Sequence, residues 1–269
     1  MTLPLIHVDA FTDELFGGNP AAVCLLPAPR DAVWMQRVAR EMNLSETAFL
    51  HPTDPGPGGE TVFGLQWFTP TTEVDLCGHA TLASAHALWE MRRLEPDERA
   101  TFQTKSGRLT AERQGEWIEL DFPATPDQPA LPPPGLAEAL GATLRYVGKS
   151  RFDYVVEVES EDAVRALRPD IGRLRTLPVR GVIVTSRATT EGWDFVSRFF
   201  APAAGVDEDP VTGSAHCCLT PFWSRRLGKL EFVARQLSAR GGTLRVRLDG
   251  DRVRLGGQAV TVLRGELVS

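Results

Sequence analysis

The sequence has few of the features that mark nucleic-acid-binding, secreted or membrane proteins. Its 269 residues hold 29 Lys and Arg against 35 Asp and Glu, and no basic run that would neutralise phosphates is present. No apolar stretch approaches the roughly 18 residues of a membrane span. The N-terminal segment lacks the basic and apolar parts of a secretory signal. We therefore expect a cytoplasmic protein that binds neither nucleic acid nor a membrane.

Cysteine is also scarce, and its spacing argues against a disulfide framework. The four cysteines are Cys24, Cys77, Cys217 and Cys218. None of them forms a CxxC pair, which favours free thiols in a reducing compartment. The segment 17–20 is a short turn and not a Walker loop, no GxGxxG motif opens a helix, and His79 and His86 do not share a helix face. The sequence therefore predicts neither a cofactor nor a metal.

Proline is concentrated near the middle of the chain. The cluster between Pro123 and Pro134 cannot continue a helix or a central strand, so residues 123–134 are predicted to be a linker. This divides the chain into an N-terminal half, 1–122, and a C-terminal half, 135–269. With 42% hydrophobic residues, a chain of this length can bury a sizeable core.

The two halves carry a repeated pattern. Three segments of the first half are Phe68-Thr69-Pro70 with Val74-Asp75, Gly78-His79-Ala80, and Gly107, Leu109, Gly115 and Leu120. Their matches in the second half are Phe200-Ala201-Pro202 with Val206-Asp207, Gly213-Ser214-Ala215, and Gly242, Leu244, Gly250 and Leu255. The nearly constant spacing predicts a duplication, and coincidence among common residues is the alternative.

Secondary-structure patterns agree with a duplication. Residues 109–120 and 244–255 are predicted to be hairpins around a glycine turn. A helix over 31–42 has a shorter counterpart over 161–167, which Ser160 caps. The segments 79–91 and 214–227 are apolar or small on nearly every face, which is typical of buried helices. Each half is therefore predicted to be a mixed sheet around one central helix.

The start of each central helix is a candidate anion site. Gly78-His79 and Gly213-Ser214 stand where unpaired N–H groups and the positive end of the helix dipole are exposed. If the halves face each other, both ends can hold a substrate carboxylate and its developing charge. The alternative is that the glycines only permit tight turns. Asp209, in an acidic run before the second helix, either complements the dipole or lines the same site.

Glu46 is the most informative acid. Strand alternation places it on one face with Leu44, Ala48 and Leu50. A carboxylate among aliphatic side chains is desolvated and can give and take protons near neutrality. The alternative is a structural carboxylate on a solvated edge, because structural acids outnumber catalytic ones.

Four motifs that span nearly the whole chain point to one family. They are Val8-Asp9-Ala10-Phe11 with Gly18-Asn19-Pro20-Ala21-Ala22-Val23; Met42-Asn43-Leu44-Ser45-Glu46-Thr47-Ala48-Phe49; Phe68-Thr69-Pro70 through Asp75-Leu76-Cys77-Gly78-His79-Ala80-Thr81; and Phe200-Ala201-Pro202 through Asp209-Pro210-Val211-Thr212-Gly213-Ser214-Ala215. In this order they resemble the PhzF family of phenazine-biosynthesis-like proteins. The resemblance implies an α+β, diaminopimelate-epimerase-like fold with two pseudo-symmetric halves, each a barrel-like mixed sheet around a central helix, assembled as a homodimer.

The same resemblance implies an isomerase. It assigns proton shuttling to Glu46, with His79, Asp209 and Ser214 in support. We further expect substrate binding at Gly18, Asn19, Gly78, Gly213 and Ser214. We expect cofactor-independent proton transfer on a small carboxylate-bearing metabolite. One alternative is an amino-acid racemase or epimerase that uses Cys77, although no second cysteine stands before the second helix. The other is a non-catalytic metabolite-binding protein of the same fold.

Overall fold

A computed structural model describes residues 2–268. The chain forms two compact units: the first comprises residues up to Asp121 together with those from Gly256 onward, and the second is Phe122–Leu255.

Strands make up most of the regular structure. In chain order they are β1 Thr2–Ala10, β2 Asn19–Leu25, β3 Glu46–Pro52, β4 Val62–Phe68, β5 Glu73–Val74, β6 Ala100–Thr104, β7 Gly107–Gln114, β8 Trp117–Pro123, β9 Gln128–Pro129, β10 Tyr146–Lys149, β11 Asp153–Glu157, β12 Gly181–Arg187, β13 Phe195–Phe200, β14 Glu231–Gln236, β15 Gly242–Asp249, β16 Arg252–Gly257 and β17 Ala259–Val268. The helices are α1 Ala32–Met42, α2 Gly78–Glu90, α3 Leu136–Leu140, α4 Glu161–Ala166, α5 Ile171–Arg175 and α6 Gly213–Leu227. A short 3-10 helix covers Pro202–Ala204.

Both units repeat one order of strand pairing. In the first unit β1–β2 is antiparallel, β2–β3 parallel, β3–β4 antiparallel, β4–β6 parallel and β6–β7 antiparallel. In the second unit β10–β11, β11–β12, β12–β13, β13–β14 and β14–β15 follow the same alternation. The mixed sheets and the repeated order confirm the predicted fold class.

The repeated residues occupy equivalent places in the two units. Phe68 and Phe200 end β4 and β13, and Gly78 and Gly213 are the first residues of α2 and α6. The two hairpin turns also match, because Gly115 and Gly250 both adopt a positive φ, 64° and 60°. A residue with a Cβ is strained in that conformation, which explains glycine at both turns.

The last strand, β17, does not belong to the C-terminal half that was predicted to contain it. β17 pairs antiparallel with β1 along all of Thr2–Ala10, so it belongs to the first unit and not to a half that runs from 135 to 269. The proline-rich segment 123–134 lies in the second unit, where β9 pairs with β10. Both β17 and β9 therefore fall outside the boundaries predicted from the proline cluster.

The two long helices lie in the cores of their units. All of α2 is buried except Gly78, His86 and Glu90, which are half-buried, and the helix packs against β1, β2 and β3. In α6, Trp223 donates to Thr185 Oγ1 of β12 at 3.0 Å and stacks on Phe195 of β13. Helices enclosed in this way need apolar residues on every face, as the sequence predicted.

Two expectations from composition can be compared with the structure. All four cysteines are buried free thiols, as predicted. No helix within residues 2–268 is long and apolar enough to cross a membrane.

Candidate functional site

The chain reaches Glu46 through a tight exit from α1. Asn43 caps the C-terminus of this helix in the left-handed conformation, with φ at 50°, and its N–H donates to the carbonyl of Ala39. Asparagine tolerates this conformation better than most residues with a Cβ. The turn directs the chain into β3, whose first residue is Glu46. The Met42-Asn43-Leu44-Ser45-Glu46 motif therefore has a geometric function, which is to place one carboxylate at the start of a strand.

Glu46 meets the N-terminus of α2. Its Oε2 lies 3.0 Å from Nε2 of His79, and their side chains are 17% and 6% exposed. On the other side of the imidazole, Nδ1 of His79 lies 3.5 Å from Sγ of Cys77. The three groups form a row, with the carboxylate and the thiol at opposite ring nitrogens. Glu46 is thus largely sequestered, but it has a polar partner and is not alone among aliphatic side chains.

The row has a defined charge state. Burial, with a contribution from the Glu46 carboxylate, raises the pKa of the Cys77 thiol. Burial also acts to lower the pKa of His79, but Cys77 and Glu46 raise it more, and the pKa of His79 lies well above its ordinary value of 6.5. A thiol with a raised pKa stays protonated at neutral pH. Beside Glu46, the row therefore holds an imidazolium and a neutral thiol.

These three residues also form a potential metal-ligand set, since one ligand atom from each lies within 4.8 Å of the others. Their types match those that bind zinc. Glu46 and Cys77, however, contact opposite nitrogens of His79. One ion can bind only one of these nitrogens, so the side chains would have to rearrange. The geometry present is a row in which His79 contacts Glu46 at one ring nitrogen and Cys77 at the other.

Gly18 and Asn19 lie beside the strand that carries Glu46. Gly18 has φ at 59°, and an added Cβ would lie 2.2 Å from the carbonyl oxygen of Ala10, so only glycine fits. Asn19 is fully buried and begins β2. Ala21 pairs with Glu46 in the parallel β2–β3 ladder, and alternate residues of a strand share a face. Asn19 therefore lies on the same face of the sheet as Glu46.

In the second unit, Asp209 belongs to a hydrogen-bonded group before α6. Thr212 donates its hydroxyl proton to Asp209 Oδ2 at 2.5 Å, and the Thr212 N–H donates to Gln236 Oε1 at 2.9 Å. The Gln236 amide donates to the backbone carbonyl of Asp209 at 2.7 Å. Asp209 is therefore held in place by the side chains of Thr212 and Gln236. The sequence did not indicate Gln236.

Ser214 lies in the first turn of α6 and contacts an arginine. Nη2 of Arg180 donates to Ser214 Oγ at 3.0 Å, and Nε of Arg180 donates to Asp153 Oδ1 at 2.9 Å. Asp153 is buried, which raises the pKa of its carboxyl, whereas Arg180 acts to lower it. Gly213 begins the helix, as Gly78 does in α2.

The structure thus groups the predicted residues within each unit. Glu46, His79 and Gly78 lie together in the first unit, and Asp209, Gly213 and Ser214 lie together in the second. Besides those of Gln236, the contacts of Cys77 with His79 and of Arg180 with Ser214 were missed. The repeat offers a signal for Arg180, because it directly precedes Gly181, the counterpart of Glu46 in strand register.

Comparison with known proteins places these features in one family. A family model described as phenazine biosynthesis-like protein (PhzC-PhzF) matches residues 8–265. An uncharacterized isomerase from Halalkalibacterium halodurans is 57% identical over 269 residues, which cover 100% of this chain and 99% of that protein. The crystal structure of a PhzF-family phenazine biosynthesis protein from Enterococcus faecalis matches with a TM-score of 0.93 at 38% identity and covers 100% of both chains.

A more distant likeness concerns the fold alone. A hydroxyproline epimerase from Agrobacterium vitis matches with a TM-score of 0.63 at 12% identity, covering 99% of this chain and 92% of that one. The α+β fold is therefore shared with epimerases. The family match and the two near-complete alignments show that the chain belongs to the phenazine biosynthesis-like (PhzC-PhzF) family.

Proposed function

We propose that this protein is a cofactor-independent isomerase that moves a proton on a small carboxylate-bearing metabolite. The contact between Glu46 and His79, 3.0 Å long and mostly buried, carries the proposal. It supplies a carboxylate that can accept a proton and a cation that stabilises its charged form. The relative from Halalkalibacterium halodurans is itself named an isomerase.

The reaction uses Glu46 as both base and acid. The carboxylate removes an acidic C–H proton, and the electrons of that bond pass into the conjugated system of the substrate. Glu46 then delivers a proton, either the one it removed or one exchanged with water, to a different carbon, so the product is an isomer and no redox partner is required. His79 contacts the carboxylate through Nε2, and its imidazolium positions the proton-carrying oxygen.

Each unit holds residues for which we propose a part in substrate binding. We propose that Gly78 and Asn19 in the first unit bind polar groups of the substrate, with Gly18 shaping the turn before Asn19. In the second unit the same role falls to Asp209, Gly213 and Ser214, all at the start of α6. Helix starts favour anions, so a carboxylate is the expected substrate group.

A second candidate is a racemase or epimerase in which Cys77 is one base. The observation in its favour is the position of Cys77 Sγ, 3.5 Å from His79 Nδ1 at the start of α2. Two observations oppose it. The raised pKa of Cys77 keeps the thiol protonated, and Thr212, not cysteine, stands at the equivalent cap of α6.

Deuterium incorporation tests the proposal. The wild type is incubated in heavy water with three carboxylates that carry an acidic C–H: a dihydro-hydroxyanthranilate, methylitaconate and trans-4-hydroxy-L-proline. We expect a new C–D bond in at least one probe, and a loss of about 10³-fold or more in the rate with Glu46→Gln. Glu73→Gln is the matched control, because Glu73 is another ion-paired carboxylate of the first unit.

The outcomes separate the candidates. Full activity in Glu46→Gln would remove the mechanism. Loss of activity in Cys77→Ala with exchange at a single carbon would favour the racemase. Exchange in none of the probes would favour a binding protein without catalysis.

A further inference from the structure

Three residues of the second unit lie at or next to the places that hold the acid–histidine pair in the first. In strand register, Ala21 pairs with Glu46 as Asp153 pairs with Gly181. The starts of α2 and α6 are equivalent in the repeat, which makes Ser214 the counterpart of His79. Arg180 directly precedes Gly181. The second unit therefore has an Asp–Arg–Ser group where the first unit has Glu46 and His79.

The group is rigidly built. Asp153 is buried and accepts two hydrogen bonds from the Arg180 guanidinium, one of them 2.9 Å long from Nε. The guanidinium also lies 5.1 Å from the ring of Phe152 and 5.5 Å from the ring of Phe199. Such a two-point contact, with aromatic rings beside it, fixes the plane of the fork. Nη2 is thereby aimed at Ser214 Oγ, 3.0 Å away.

The fold itself does not require this group. Ala21 fills the equivalent place in the first unit, so a small apolar residue is sufficient for the strand pairing. Burial of a carboxylate costs free energy unless a partner neutralises it. An acid equivalent to Glu46 has no room here, because a Cβ on Gly181 would lie 2.5 Å from Cζ of Phe199. Where the first unit has the acid Glu46, the second unit has Gly181 with the cation Arg180 directly before it.

The Arg180 contact determines what the Ser214 hydroxyl can do. A serine hydroxyl has one proton to donate and two lone pairs that accept. Arg180 occupies a lone pair, and among residues 2–268 the Ser214 proton has no acceptor. The hydroxyl is therefore left as a donor beside a positive charge, a combination that favours an anionic acceptor.

We propose that Asp153 and Arg180 are positioning residues that hold the Ser214 hydroxyl as a hydrogen-bond donor to the substrate carboxylate. The inference rests on the proposed function, because its ligand is the carboxylate-bearing substrate of that function. Arg180 acts through Ser214, and Asp153 acts through Arg180.

Binding of benzoate, a carboxylate without an acidic C–H, tests the proposal by calorimetry. We expect Arg180→Met and Ser214→Ala each to raise the dissociation constant about tenfold or more, as loss of a charge-assisted hydrogen bond does. The dissociation constant of the double variant should be no higher than that of the single variant with the lower affinity, because both changes disrupt the same Arg180–Ser214 contact. Arg180→Lys keeps a positively charged donor, so its dissociation constant should lie between those of the wild type and Arg180→Met. Arg175→Met is the control, since Arg175 pairs with Asp207 at the surface of the same unit.

Several results would overturn the proposal: benzoate affinity unchanged in Arg180→Met, additive losses in the double variant, or no benzoate binding by the wild type. If Arg180→Met does not fold, Arg180→Lys and Ser214→Ala give the same comparison. Glu46→Gln separates this inference from the proposed function. This variant should lose proton exchange and still bind benzoate with an affinity within about threefold of the wild type. The exchange assay thus tests the proposed function, and benzoate binding tests the role of Asp153 and Arg180.

Discussion

At the scale of single residues, the proposed chemistry depends on the side chains around one imidazole. The sequence indicated Glu46 from strand alternation and His79 from its place at a helix start. It did not indicate that Cys77 and Glu46 contact opposite ring nitrogens. That arrangement depends on the orientation of the His79 ring, which follows from packing in three dimensions and leaves no periodic signal.

The charge of His79 leads to a pH prediction. Its pKa lies well above 6.5, so the imidazolium is present at neutral pH and is lost as the pH rises through that higher pKa. We expect the rate of proton exchange to fall over the same pH range, which gives the pH profile an alkaline limb. In His79→Gln the limb should disappear, and the remaining rate should be about 10²-fold lower.

The pH profile of deuterium exchange measures this effect. His51→Gln, in the same strand as Glu46, is the control and should keep the wild-type profile. An alkaline limb that persists in His79→Gln would show that another group titrates.

At the scale of elements, the repeat carried most of the predictive information. Glycines at Gly115 and Gly250 located both hairpins, because each turn needs a positive φ. Ser160 was identified correctly as the cap of α4 and accepts from the Ala163 N–H. The loop before α6 is longer than the loop before α2 and carries Asp209. Its hydrogen bonds to Gln236, far along the chain, could not be predicted from local sequence.

Helix α4 also gives a stability prediction. Burial acts to raise the pKa of Glu161, but hydrogen bonds from Thr190, Thr189 and Arg165 outweigh it and lower the pKa to about 2. A carboxylate with a lowered pKa stabilises the fold above its ordinary pKa, and the stabilisation is lost as the pH falls toward about 2. Glu161→Gln should therefore reduce the free energy of unfolding at pH 7 by about 2–3 kcal/mol.

Denaturant unfolding at several pH values checks this expectation. The deficit of Glu161→Gln should shrink as the pH is lowered from 5 to 3. Asp162→Asn changes an exposed neighbouring acid and should have little effect at any pH. An equal deficit at both ends of the range would mean that the side chain acts through packing and not through charge.

At the scale of the whole molecule, the chain returns to its first unit at the end. Pairing of β17 with β1 joins the two ends of the sequence. Local composition carries no trace of so distant a contact, which is why the predicted halves followed the proline cluster instead. Assembly as a homodimer and a cytoplasmic location remain predictions from the sequence.

Removal of residues 259–269 tests the importance of this return. Without β17, the backbone N–H and C=O groups of β1 lose their partners along one edge. We expect the unfolding free energy to fall by several kcal/mol, or the shortened chain to aggregate. Urea unfolding measures the change, and a chain lacking only residues 268–269 is the control. An unchanged midpoint would show that the strand is dispensable.

The central claim is that Glu46 carries the transferred proton. The most direct test uses the probe that exchanges in heavy water, synthesised with deuterium at its acidic carbon and converted in ordinary water. Mass spectrometry and NMR of the product then show where the label is. We expect part of the deuterium at the new position with the wild type and with Glu73→Gln, and no product with Glu46→Gln. Product formed by Glu46→Gln at the wild-type rate would contradict the account.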